Sequence, residues 1–264
     1  MAISKYFDEF PFRRVAVNSN TTKVVTDIFR RVRIREDYKE LVHSYYTEDL
    51  NDAERPDQLA AREYNQSTLH WMTMLVNDVV NPYHDWVMTD KTLENFVATK
   101  YPNRYLRLLD THFDSTDKLF LPNETITSGS SVGTVVNFDT TNLQVIYTLT
   151  SAGNFANTNT ITGGTSGVTG TVNGTPGLEV DAISHYEIQR ELNDGSTERI
   201  VVDKGITRDL PNPINNNAIE TYIATAVSYF GHETNKNDDN RLVKLLDPDR
   251  IQEFTKDFKN KIGI

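Results

Sequence analysis

The sequence predicts an α+β protein: strands and short helices ending in a C-terminal amphipathic helix, interrupted by a small all-β module. Three observations carry this reading. Residues 119–180 contain no Lys or Arg and hold nine of the 13 glycines of the chain. The same segment repeats itself, Phe120 and Thr125-Ile126-Thr127 being matched 35 residues later by Phe155 and Thr160-Ile161-Thr162. Near the C-terminus, Ile251, Phe254, Phe258 and Ile262 fall on one face of a helix, with Lys256, Lys259 and Lys261 elsewhere. So abrupt a composition break marks a module inserted into another domain. The expected division is 1–118, 119–180 and 181–264.

Composition bounds the function classes. A chain of 264 residues with 38% hydrophobic and 10% aromatic side chains can bury a real core, which argues against general disorder. The absence of cysteine excludes disulfides, thiol catalysis and thiolate metal sites. With 27 basic and 37 acidic side chains the net charge is −10, the wrong sign for wrapping nucleic acid. The first nine residues, Met1 to Glu9, lack the apolar stretch of a signal peptide, and no apolar run approaches the roughly 20 residues of a membrane helix. The expectation is a soluble acidic protein assembled in the cytoplasm, engaging neither nucleic acid nor membrane.

The elements follow in order. Tyr6 to Phe12 and Val15-Ala-Val17 read as extended chain, Val24 to Ile34 as a turn and a strand, and Val42 to Tyr46 as a further strand. Pro56 suits a first helical position and Asp57 the first turn, giving a helix to about Tyr64. Ser67 is positioned to cap a second helix, Thr68 to Val76, with Asn77 at its end. That helix carries Leu69, Trp71, Met72, Met74 and Leu75 around most of its circumference, so it is expected to be buried. In the insert, Thr, Val and Ile alternate between Gly/Asn/Ser turns, as in a small barrel or sandwich; low-complexity linker is the competing reading. Beyond it, His185–Leu192 and Arg199–Val202 flank Asn193-Asp194-Gly195 as a hairpin, and Val227–Phe230 with Arg241–Leu246 reads as a second strand–turn–strand. Asp247 and Pro248 begin the final helix.

Chemistry is harder to find. His70 sits within the apolar helix and reads as a packed residue; His84-Asp85 lacks a partner nucleophile; Asp110, His112 and Asp114 lack a second histidine for a metal. Gly163 to Gly170 has a phosphate-loop look but lacks the Lys-Ser/Thr ending and any basic neighbour. No catalytic, metal or cofactor site is expected.

The most distinctive stretch is Arg55-Pro56-Asp57-Gln58-Leu59-Ala60, then Tyr64-Asn65, Leu69-His70-Trp71-Met72, Asn77-Asp78 and Asn81-Pro82-Tyr83-His84-Asp85-Trp86. It resembles the wedge proteins of contractile-tail, T4-like phage baseplates that carry a LysM-related module, over about residues 40–100 and more loosely over 225–262. The family pattern has Gly where Asn65 stands and Asp where Asn81 stands, and Asn tolerates the left-handed turn that Gly would provide.

The resemblance implies a LysM-like βααβ module, made of strand 42–46, helices 56–64 and 67–77 and a closing strand near Trp86–Thr89, and a non-enzymatic virion component of the tail baseplate. That component would clamp wedge subunits together and support sheath contraction. Its implied partners are other wedge subunits, a lysozyme-like baseplate protein and neighbouring wedges in a sixfold assembly. Core or interface candidates are Leu59, Tyr64, Leu69, Trp71, Asn77, Tyr83, Trp86, Ile251, Phe254, Phe258 and Ile262. Two alternatives stand beside it, a peptidoglycan-binding LysM protein and a host-receptor-binding module formed by the β insert.

Overall fold

The computed structural model describes residues 6, 10–28, 33–34, 44–50, 54–109, 119–151, 153–193, 195–202, 207–211 and 219–262. Among these the first strands are β1 (Phe12–Asn18), β2 (Thr21–Thr26), β3 (Tyr45–Asp49), β4 (Arg104–Arg107), β5 (Thr125–Ser128) and β6 (Ser131–Asp139). They continue with β7 (Gln144–Leu149), β8 (Thr160–Gly163), β9 (Thr169–Thr171), β10 (Gly177–Leu178) and β11 (Ile183–Glu191). The last are β12 (Thr197–Val202), β13 (Thr207–Pro211), β14 (Ile219–Ile223), β15 (Thr225–Ser228) and β16 (Leu242–Leu246). The helices are α1 (Pro56–Tyr64), α2 (His70–Val76), α3 (Asp90–Lys100), α4 (Tyr229–Asp239) and α5 (Ile251–Ile262). The chain is therefore mixed α+β, divided into one unit of Met1–Thr92 with Lys236–Ile264 and a second of Leu93–Asn235.

In the first unit, β3 pairs antiparallel with β16, Tyr45 opposite Leu246 and Asp49 opposite Leu242. Helix α1 starts where Pro56 can occupy the first turn, and Gln58 closes a capping box with Arg55. It stops at Asn65, whose φ of 52° is the left-handed turn expected there. The turn Ser67–Leu69 is a 3₁₀ helix leading into α2, and Ser67 makes no capping bond. Val243 and Leu245 of β16 bury against Leu50, Leu59, Trp86 and Val87, whereas Leu246 joins Ala60, Leu69, Trp71 and Met72.

Two expectations about this unit need correction. Trp86 to Thr89 is not a strand; the partner of β3 is β16, from the far end of the chain. Trp86 and Val87 are buried in succession rather than alternating, and the Met88 backbone bonds the Asn237 side-chain amide through both its N–H (2.7 Å) and its C=O (3.0 Å). Nor do Val227–Phe230 and Arg241–Leu246 pair. The polar run between them is helix α4, begun by Ser228 Oγ accepting from Gly231 N (3.0 Å). Its polar residues Glu233 and Asn237, one turn apart, are buried against specific partners, a pattern that composition alone reads as a turn.

The second unit is built around the inserted β segment. Its sheet runs β10-β4-β7-β6-β5-β8-β9. It closes on itself through a bridge between Leu108 and Val172, with Leu109 N–H donating to Thr171 O (3.0 Å) and Asn173 N–H to Arg107 O (2.8 Å). The result is a small barrel whose core contains both repeat copies, Phe120 with Ile126 and Phe155 with Ile161. β5 and β8, the repeated strands, lie side by side. Asn123 and Thr158, 35 positions apart, share a left-handed backbone (φ 67° and 65°). Asn123 N–H donates to Val135 O as Thr158 N–H donates to Val172 O, so the structural counterpart of Val172 is Val135, not the Val136 that a one-residue gap would align.

The expected boundaries at 118 and 180 do not fit this barrel. β4, from the segment assigned to the N-terminal domain, pairs with β7, and Leu106 and Leu108 lie in the barrel core. The strand escaped notice because Arg104 and Arg107 flank its one fully buried side chain, leaving little apolar alternation to read. The Asp-Gly hairpin is present as β11–β12, with Gly195 at φ 81°. β11 also pairs with β15, and β13 pairs with β14.

Candidate functional site

The residues of the distinctive motif divide into a buried cluster and an exposed loop. Trp71, on α2, is 5% exposed and has the rings of Phe258, Tyr6 and Phe254 at 4.6, 5.5 and 6.3 Å. Leu59, Leu69, Ile251 and Phe258 are buried and Phe254 is half-buried, so the stripe on α5 covers Trp71 within its own unit. The Ile262 side chain lies outside the described residues. Tyr64 is half-buried; its hydroxyl accepts from Leu246 N–H at 3.0 Å, and burial pushes its pKa up to about 12. Trp86, 4% exposed, donates its indole N–H to Glu54 O at 2.7 Å.

Asn77 joins α2 to the sheet. Its Nδ2 donates to Thr73 O and Lys244 O, both at 2.8 Å, while its Oδ1 accepts from Lys244 N–H at 2.8 Å. A side-chain amide offers one oxygen acceptor and two N–H donors; one donor ties Asn77 to α2, while the other donor and the oxygen hold Lys244 in the middle of β16.

Between Asn77 and Trp86 the motif turns outward. Asp85 Oδ2 accepts from the N–H groups of Val80 (3.2 Å) and Asn81 (2.9 Å), and Asn81 Oδ1 accepts from Tyr83 N–H at 3.1 Å. This wiring fixes the loop without help from its aromatic side chain. Tyr83 is 80% exposed and Val80 lies exposed beside it. A rigid loop presenting an amphipathic ring is the chemistry of a protein contact rather than of a reaction.

Two buried carboxylates elsewhere serve structure. Glu124 is buried beneath the glycine-rich turn, where it accepts from Leu121 N–H (2.7 Å), Thr165 N–H (3.2 Å), Ser166 N–H (2.9 Å) and the Ser166 hydroxyl (2.9 Å). Burial works against its ionisation, but these bonds prevail and hold its pKa below the ordinary value. The backbone amides a phosphate would need are thus already taken by a carboxylate of the same chain. Glu233, also buried, accepts from Lys100 Nζ (2.7 Å) and Tyr101 OH (2.8 Å); again burial opposes ionisation, and the two donors outweigh it.

His70 Nδ1 lies 3.0 Å from Ser67 O, a local bond of the helix start. His84 is exposed, and the Asp85 carboxylate beside it is bonded to backbone N–H groups. His185 sits 2.7 Å from Glu187 and edge-on to His232 at 5.3 Å, a grouping that needed the fold to assemble. Among the described residues no three His, Asp or Glu side chains are arranged to hold a metal ion. The sequence candidates Asp110, His112 and Asp114 lie outside the described residues.

With the distinctive motif on a buried aromatic core and a displayed loop, comparison with known proteins shows what the N-terminal part of the chain is similar to. Residues 2–117 match the family described as base plate wedge protein 53, so the resemblance to T4-like baseplate wedge proteins is borne out over this segment. A relative is baseplate wedge protein gp53 of Enterobacteria phage T4, 28% identical over 101 residues, which are 37% of this chain and 50% of that protein. The chain spans about half the length of this curated relative. The matched residues end before the barrel strand β5 and do not include β16 or α5, which complete the first unit.

Proposed function

We propose that this chain is a non-enzymatic structural component of a phage tail baseplate wedge, clamping neighbouring wedge subunits and supporting sheath contraction. The observation that carries this reading is the family match over residues 2–117, a segment that includes both the buried tryptophans and the preorganised Tyr83 loop. A clamp needs a rigid block and a displayed contact surface, and this unit has both: the motif tryptophans stiffen it and Tyr83 faces outward. The LysM-like character of the block rests on β3, α1, α2 and β16 in that order, an antiparallel strand pair with two intervening helices, although the second strand arrives only after the barrel. Its partners would be other wedge subunits, a lysozyme-like baseplate protein and neighbouring wedges around a sixfold axis, with the virion tail as its final location.

The experiment is genetic and direct. Tails purified from phage lacking this chain should be missing from the lysate or lack complete baseplates, and complementation with the full chain should restore them. Full infectivity without the chain would refute the reading. Retention of the chain on chitin-oligomer resin, with normal tails in its absence, would favour the glycan-binding alternative.

A further inference from the structure

The hairpin β1–β2 is the most conspicuous surface that the buried cores do not explain. All seven residues of β1 are exposed, as are the first five of β2, on both faces of the ribbon. Phe12 is 76% exposed, and Val15, Val17, Val24, Val25 and Ile28 are exposed with it. Among the described residues the two strands pair only with each other, Phe12 opposite Thr26 and Val15 opposite Lys23, which leaves an edge on either side without a described strand. An isolated two-stranded ribbon with apolar residues on both faces is marginal in water and invites pairing with another sheet.

Charge indicates what covers it. Residues 12–26 contain Arg13, Arg14 and Lys23 and no carboxylate, a net of +3, so the remainder of a chain of net −10 carries −13. None of these three cations forms an ion pair with another described residue. Two hairpins brought together would set like charges against each other. Among the described side chains, the carboxylates of edge strands β3 and β12 are already engaged: Glu48 pairs with Arg62, Asp49 with Arg241 and Glu198 with Arg190.

We infer that the hairpin Phe12–Thr26 is an assembly arm, covered by a different protein that offers an acidic surface beside an open sheet edge. Strand addition would satisfy the free edge of the ribbon, and apolar side chains on alternate positions would seat the Val and Phe residues. Arg13 and Arg14 would steer the encounter and fix its register. This inference rests on the baseplate reading and adds the surface through which the chain enters the wedge.

The test uses the full chain in infected cells, with a photo-crosslinking phenylalanine analogue in place of Val17. Crosslinked peptides from purified tails should belong to another tail protein and come from a segment rich in Asp and Glu. Crosslinks confined to copies of this chain, or none at all, would overturn the inference. As a second arm, Arg13→Glu with Arg14→Glu and Lys23→Glu should leave the unfolding midpoint unchanged and cut incorporation into tails by about tenfold or more. Normal incorporation, or a lowered midpoint showing that the ribbon packs on its own chain, would also overturn it. If the unsubstituted chain is itself absent from tails, the baseplate reading fails; if it is present but uncrosslinked, only the arm fails.

Discussion

Trp71 and Tyr83 belong to one motif yet meet opposite environments, which makes their variants a matched pair. Trp71 is enclosed by the rings of Phe258, Phe254 and Tyr6, so Trp71→Ala should destabilise the first unit by about 3–5 kcal/mol in chemical denaturation. Tyr83→Ala should leave stability within about 0.5 kcal/mol of the parent while reducing incorporation into tails, because the loop is held by Asp85 and Asn81 rather than by the ring. An unfolding midpoint lowered by the Tyr83 change would count against a displayed contact. In the barrel, a Cβ added at Gly133 would lie 2.9 Å from Tyr147 Cδ2 and 3.3 Å from Phe155 Cε2; Gly133→Ala should therefore cost about 1–3 kcal/mol through overpacking. Glu124 gives the pH dependence. Its folded pKa lies below the ordinary 4.5, so its contribution is complete above that value and is lost as pH falls through the folded pKa. Glu124→Gln should cost about 1–3 kcal/mol near neutrality, and the gap between variant and parent should narrow in acid. A gap that widens in acid would contradict this sign.

At the scale of elements, the stripe on α5 closes the aromatic cluster of its own unit. Phe254→Asp with Phe258→Asp is thus expected to unfold that unit, read as loss of near-ultraviolet dichroism, rather than to leave a folded protein unable to assemble. Helices α1 and α5 were legible in the sequence because Pro56 and Asp247-Pro248 mark their starts and, in α5, apolar residues keep helical spacing. The β repeat was equally legible, since Phe120/Phe155 and Ile126/Ile161 alternate between turn residues and are buried in equivalent places. Other elements were hidden. α4 is built from polar residues whose purpose appears only beside Lys100, Tyr101 and Met88. α3 displays only Leu93 and Val97 as buried anchors. The partner of β3 is nearly two hundred residues away in sequence, and no local pattern specifies so distant a pairing. For the candidate site, the motif residues were readable and so was the burial of Trp71, which lies on a helix apolar around most of its circumference; the outward turn of Tyr83 was not, because it depends on how Asp85 and Asn81 bond the loop backbone.

The whole molecule has two units, and the first is completed by segments from both ends of the chain while the second occupies the middle. Removing residues 119–175 and joining the flanks should not leave a well-behaved remainder, because Leu106 and Leu108 would lose the barrel core that covers them; aggregation or binding of a hydrophobic dye would report it. A soluble, cooperatively folding deletion variant would show that β4 is not integral to the barrel. Sub-tomogram or single-particle density of purified tails shows most directly whether this chain is built into the baseplate wedge. Density for the unit containing Trp71, α5 and the Tyr83 loop is expected at the wedge, with that loop against another subunit. Tails with complete, fully interpreted baseplates and no density for this chain would contradict it.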